Sequence, residues 1–233
     1  MKMKKKKIVK GIVVLFYMLV ALMVIIGEYQ KDITLLKFTK PFLIPLLSIS
    51  YFLRSKKINW SYIMALVFIW LANILFIYQT EPFIFKGAVS YLIFWIIITF
   101  IILVNTRFPD KFSFLIALIP FSFIYCCVLQ LILETVNESL LMFFLNGVFM
   151  TFLGAYSLAN YFIDSNKANT CLLISILMFT FIQFLVSIDL YYLSMKLFRP
   201  IAMLLFAFAH YFLLKTLLFY EENKLNNNAS ALV

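Results

Sequence analysis

Asp189 is the one carboxylate that falls inside a long apolar run, the stretch from Cys171 to Ser194; every other Asp and Glu reads as part of a connection or a tail. An ionisable group in hydrocarbon is costly, so by default it faces the protein interior and serves a function, of which proton transfer is the plainest. The competing reading places Asp189 at the membrane–water boundary, where the following Tyr191 and Tyr192 would be at home. A few other polar residues interrupt apolar text: Thr39, Lys40, Asn73, Tyr91, Asn146, Arg199 and His210. A lone His on an apolar helix is more often a satisfied interior residue than a ligand. Tyr91 and Asn146 are equally at home in an interfacial belt and in an interhelical hydrogen bond.

These residues need elements to hold them, and composition says which. The chain is 65% hydrophobic and 13% charged, against roughly 25% charged in an ordinary soluble domain. Its apolar runs are continuous rather than alternating, which predicts an all-α, polytopic transmembrane helical bundle and excludes a β-barrel. About eight spans are expected: Ile8–Ile26, Leu35–Leu53, Trp60–Tyr78, Phe83–Val104, Phe112–Leu133, Ser139–Ile163, Thr170–Leu193 and Phe198–Phe219. Residues 1–220 form one domain in this reading, and the Asn-rich tail 221–233 reads as disordered.

The net charge of +10 is explained by topology. Lys2, Lys4, Lys5, Lys6, Lys7 and Lys10 precede or open the first span, where they hold the N-terminus in the cytoplasm and contact anionic lipid. The run behind them lacks a small-residue cleavage pattern and reads as a signal anchor. Nothing after the lysines could read a groove, so no nucleic-acid partner is expected. With eight spans both termini are cytoplasmic, and Lys196 and Arg199 then stand on the outer side against the positive-inside bias. Two such cations could meet an anionic head group. Cys126, Cys127 and Cys171 lie in apolar runs and give neither a disulfide framework nor metal-ligand spacing. No metal or other cofactor is expected. Heavy use of Lys, Ile, Phe and Asn suggests an AT-rich bacterial genome, hence a bacterial inner membrane.

Topology also gives depth. Thr39, Lys40 and Pro41 fall in the first turns of the second span, where proline is tolerated. Asn73 lies about 20 Å up the third span and Asp189 about 28 Å up the seventh, at 1.5 Å per residue. Arg199 and Pro200 open the eighth. Lys40, Asn73, Asp189 and Arg199 therefore share the outer half and could line one pocket. Pro45 and Pro120 lie deeper and are expected to kink their helices.

The stretch Phe38-Thr-Lys-Pro-Phe-Leu-Ile-Pro-Leu-Leu47 resembles the TKPxLxPLL signature of the YhhN-like membrane proteins, the lysoplasmalogenase family. Phe68-Ile-Trp-Leu-Ala-Asn-Ile-Leu75 resembles their FSWLGDxLL segment, Phe184-Leu-Val-Ser-Ile-Asp-Leu190 their late FxxSDxxLA segment, and Arg199-Pro200 with His210-Tyr211 their last helix. The resemblance implies eight spans and hydrolysis of the vinyl ether bond of a lysophospholipid, with two intramembrane Asp residues as the catalytic pair. Here Asn73 stands where the first Asp is expected and Ala72 where a Gly precedes it. Trp95 lies near a frequent fourth-span His, and Asp189 matches the second Asp with Ile188 inserted. The resemblance casts Asp189 and Asn73 as the catalytic residues. On such a substrate Lys40 would hold the phosphate as a point charge, with Arg199 as a second candidate and Thr39, Tyr91 and His210 as further substrate contacts, while snorkelling to the outer interface is the competing reading of both cations. A Lys40–Asp189 salt bridge with no chemistry is the structural alternative. Three functions follow: a hydrolase of lyso-ether lipids, a relative that binds an amphiphile without turnover, and a small-solute transporter.

Overall fold

Among the residues described by the computed structural model, 2–132 and 140–230, there are eight α-helices and no strand. They are α1 (Lys2–Gln30), α2 (Ile33–Arg54), α3 (Trp60–Leu75), α4 (Glu81–Asn105), α5 (Lys111–Ile132), α6 (Leu140–Ile163), α7 (Lys167–Tyr191) and α8 (Phe198–Ser230). Seven are long and apolar enough to cross a membrane, and α3 is shorter. The chain is thus a multi-pass membrane protein. Large apolar side chains such as Leu15, Phe38, Phe100, Phe123 and Phe162 cover the outside, where lipid rather than water must be the solvent.

Consecutive helices are neighbours except α4 and α5, and contacts between α1 and α8, α4 and α6, and α2 and α8 close the set into a ring, with α5 packed outside against α6 and α7. Inside the ring lies one core of aromatic and branched residues, including Tyr17, Tyr62, Phe94, Trp95, Phe179 and Leu213. Two buried hydrogen bonds tie helices onto α8: Tyr17 Oη donates to the Ala207 carbonyl and Ser175 Oγ to the Ala209 carbonyl, each at 2.8 Å. Helix starts are fixed locally. Asp32 accepts from the Thr34 and Leu35 N–H groups, and Asn166 from that of Asn169. Asp110 caps α5 through Ser113, and that bonding holds its carboxyl below the usual range.

Several boundaries differ from expectation. Helix α1 runs to Gln30 rather than Ile26 and ends where Lys31 takes a left-handed φ of 57°. Glu28 is therefore inside a helix, not in a connection. Helix α3 stops at Leu75, 16 residues from its start, and continues as tight turns through Tyr78. Helix α4 begins at Glu81, with Pro82 in its first turn. Helix α7 begins at Lys167 and ends at Tyr191 rather than Leu193, which puts Asp189 in its last turn. Helix α8 passes the expected end at Phe219 and is helical to Ser230, into the stretch 221–233 read from sequence as a tail. There Glu221 accepts a hydrogen bond from Ser55 Oγ at 2.8 Å and others from the Lys56 and Lys57 N–H groups. Pro41 lies in the third turn of α2 rather than at its opening, because the helix starts at Ile33. Pro45 has no N–H to give the Pro41 carbonyl, and Trp70 Nε1 takes that place at 2.8 Å. Helix α5 runs unbroken through Pro120. The expected boundaries at Leu133 and Ser139 fall outside the described residues.

Candidate functional site

At one end of the bundle α1, α2, α3, α4, α6, α7 and α8 surround a chamber of about 160 Å3, the volume of about five waters at ~30 Å3 each. Its walls are mostly apolar, from side chains such as Ile69, Phe76, Ile182, Met203 and Phe206. Polar groups enter from distant parts of the chain: Glu28, Lys40, Asn73, Tyr91, Asn146, Gln183 and Arg199 all line it.

Charge in the chamber is organised as two ion pairs. Lys40 Nζ lies 2.6 Å from Glu28 Oε1, with both side chains almost fully buried. Arg199 Nε lies 2.6 Å from Asp189 Oδ2, and Ser194 Oγ donates to the other carboxylate oxygen at 3.1 Å. The Lys40–Asp189 bridge considered from the sequence does not form, because each cation has a nearer acid. These carboxylates occupy unfavourable positions on their own helices. Glu28 and Asp189 lie in the last turns of α1 and α7, where the helix dipole already presents negative charge. Arg199 lies in the first turn of α8, the positive end. Each charge is compensated by its partner on the neighbouring helix, so the two pairs fix how α1 meets α2 and how α7 meets α8.

Asn73 is buried and donates through Nδ2 to the Lys40 carbonyl at 3.2 Å. It therefore joins Lys40 at the chamber wall. Asn146 donates to the carbonyls of Met142 and Ala88 at 2.8 and 3.3 Å, which orients its amide. Its Oδ1 is left without a partner, as is Gln183 Oε1, both being buried atoms of chamber-lining residues. The chamber thus holds two cations, each already paired with a carboxylate, and its lining residues Asn146 and Gln183 keep one unpartnered, buried amide oxygen each.

Not every expected site residue reaches this space. Asp189 is not part of the lining and meets the chamber through Arg199. Thr39 Oγ1 donates to the Leu35 carbonyl of its own helix at 2.7 Å and is absent from the lining. His210 is fully buried one layer deeper, its ring centroid 4.3 Å from that of Phe206 and 4.8 Å from that of Phe179. Neither ring nitrogen has a partner. Trp95 packs edge-on against the same Phe179 ring. Lys196 sits over the Tyr29 ring at 4.1 Å.

Two residues of the site were missed from sequence: Glu28 and Gln183. For Glu28 a signal exists. Tyr17, Ala21 and Val24 form the buried stripe of α1, and one more step of that period reaches Glu28. Among the described residues no three His, Cys, Asp or Glu side chains are grouped so as to hold a metal ion. Comparisons with family models, with curated proteins and with solved structures find no match for this chain.

Proposed function

We propose that this chain is a lysoplasmalogenase-like hydrolase of a bacterial inner membrane, which takes the glycerophosphate part of a lyso-ether phospholipid into the chamber and cleaves its vinyl ether bond. The observation that carries this reading is the convergence of Lys40, Asn73 and Arg199, far apart in sequence, on one apolar-walled chamber. In this reading the hydrocarbon tail stays among the lipids. Lys40 and Arg199 hold the phosphate.

The reaction starts with proton transfer to the alkene carbon remote from the ether oxygen, which leaves an oxocarbenium ion. Water adds to that cation and loses a proton, and the resulting hemiacetal collapses to an aldehyde and a free glycerol hydroxyl. The scheme needs a proton donor, a group to stabilise the cation and a placed water. Glu28 on the chamber wall and Asp189 behind Arg199 are the available acids, each tied to a cation. A phosphate arriving between Lys40 and Arg199 competes for both cations and loosens both carboxylates. Asn73 orients but cannot exchange a proton, so turnover is slower by about 10² or more than with an acid in its place.

Binding without turnover is the second reading. It is favoured by the ion-paired state of both acids and by the amide at position 73. Aldehyde release from a lysoplasmenyl lipid by purified protein separates the two. A hydrolase gives aldehyde that Asn73→Asp increases about 10²-fold and Asp189→Asn abolishes. Retained lipid with no aldehyde from either the wild type or Asn73→Asp establishes the binder, and no retention at all removes both.

A further inference from the structure

The walls of the chamber lead to a floor that is not apolar throughout. On α8 the lining residues Arg199, Ala202 and Phe206 follow one helical stripe, and its next step is His210. On α4 the lining residues Ala88 and Tyr91 lead in the same way to Trp95, and on α7 Ile182 leads to Phe179. The three rings meet there: His210 and Trp95 both stand edge-on to Phe179, with centroids 4.8 and 4.9 Å away. Helical period therefore aims His210 and Trp95 at the closed end of the chamber.

Both polar groups are unspent. His210 is fully buried and neither ring nitrogen has a hydrogen-bond partner; Trp95 is equally buried and has none for Nε1. A neutral imidazole carries one donor and one acceptor, and buried groups left unbonded are costly. A phenyl ring would fill the same niche among Phe94, Phe179 and Phe206 without that cost. Between His210 and the chamber stands the ring of Phe206, which lines the chamber and lies 4.3 Å from the imidazole, centroid to centroid. An aromatic side chain on a helix has two open χ1 wells. Ala202, one turn toward the mouth, opposes a swing of that ring with only a methyl group.

We infer that the chamber continues behind Phe206 into a pocket where the His210 imidazole, with the Trp95 N–H as a second donor, holds a hydroxyl group. A hydroxyl gives and takes a hydrogen bond at once, which matches a neutral imidazole. An anion is disfavoured among these rings, since Arg199, the lining charge of α8, stands about 16 Å up the helix. Phe206 is the door, closed in this structure and open in a minor state. The hydroxyl belongs either to water or to the end of a small alcohol. The inference concerns binding alone and stands whether or not the chamber hydrolyses lipid.

The test uses the full chain in lipid nanodiscs with isotopically labelled histidine, because His210 is the one histidine of the sequence. Magnetisation transfer from water to the imidazole probes a water source. Titration with butanol probes an alcohol source, with pentane, of equal size and no hydroxyl, as control. A water signal, or a saturable butanol shift that pentane does not give, is expected and identifies the source. Acylation of His210 by diethyl pyrocarbonate tests the door. A ring open for a tenth of the time or less shields His210 about tenfold or more, so Phe206→Ala is expected to raise acylation by that factor. Leu214→Ala, which frees volume one turn beyond His210 and away from the chamber, leaves the rate unchanged. Absence of a water signal together with no butanol shift beyond that of pentane overturns the inference. So does acylation that Phe206→Ala leaves unchanged or that Leu214→Ala raises equally, since the imidazole is then not reached through the chamber.

Discussion

The side chains that set this molecule apart are four charges placed where their own helices disfavour them or where burial does. Glu28 and Lys40 are 5% and 3% exposed at the side chain, and Asp189 is 2% exposed. Breaking such a pair from one side leaves a desolvated charge, at a cost of about 3–5 kcal/mol, whereas replacing both partners by apolar groups is often neutral. Lys40→Met alone is therefore expected to lower unfolding stability in detergent by about 3–5 kcal/mol, and Glu28→Gln with Lys40→Met to recover most of it. A double variant as unstable as the single one would show that Lys40 is held by something other than Glu28. Arg199, about a quarter exposed at the side chain, is screened by its surroundings and its loss costs less. Lys40 and Asp189 were visible in the sequence because charge inside apolar text stands out. How they pair was not, because hydropathy gives depth along a helix and says nothing about azimuth.

Between elements, α5 and α6 meet closely at two glycines. A Cβ built on Gly154 would collide with the Phe121 ring down to its Cγ, and one on Gly147 would collide with the outer edge of Tyr125. The seven-residue spacing keeps both glycines on one face, the small-residue arrangement that lets helices meet closely in lipid. Gly154→Ala is expected to destabilise by about 1–3 kcal/mol through forced displacement of α5. Gly147→Ala should cost less, since the outer part of a tyrosine ring can swing. Gly11→Ala serves as control, since nothing lies within 4 Å of the added methyl, and should be tolerated. Thermal unfolding of the three variants in detergent gives the order, and equal losses at 11 and 154 would exclude close packing as the cause. The helices themselves were legible from uninterrupted hydropathy. Their ends were not, for reasons that differ by element. The α1 stripe continues through Gly27 and Glu28 despite the polar residues. Helix α8 outlasts its apolar run because Glu221 is held by the connection between α2 and α3.

Across the whole molecule, long-range contacts fix an alternation that charge counting only suggested. Residues 28, 40, 73, 146, 183 and 199 meet at one end, and residues 107, 164, 169 and 220 meet at the other. Glu221 bonded to the 55–57 connection adds that loop to the second group. Each successive helix must then run opposite to the one before, and α3 must do so although its 16 residues span only about 24 Å of a ~30 Å hydrocarbon core. The turns from Phe76 to Tyr78 carry the chain the remaining distance to Glu81. If α3 crosses, Lys31 and Glu81 emerge on one face and Lys57 on the other. The excess of basic residues near Lys57 leads us to expect that second face in the cytoplasm. In a background lacking Cys126, Cys127 and Cys171, Lys31→Cys and Glu81→Cys are therefore expected to react with a membrane-impermeant maleimide on intact cells, and Lys57→Cys only after permeabilisation. A cysteine at 81 that behaves like the one at 57 would make α3 a re-entrant segment. It would also separate Asn73 from Lys40 and Glu28, and the chamber, with the chemistry assigned to it, would not exist in the membrane.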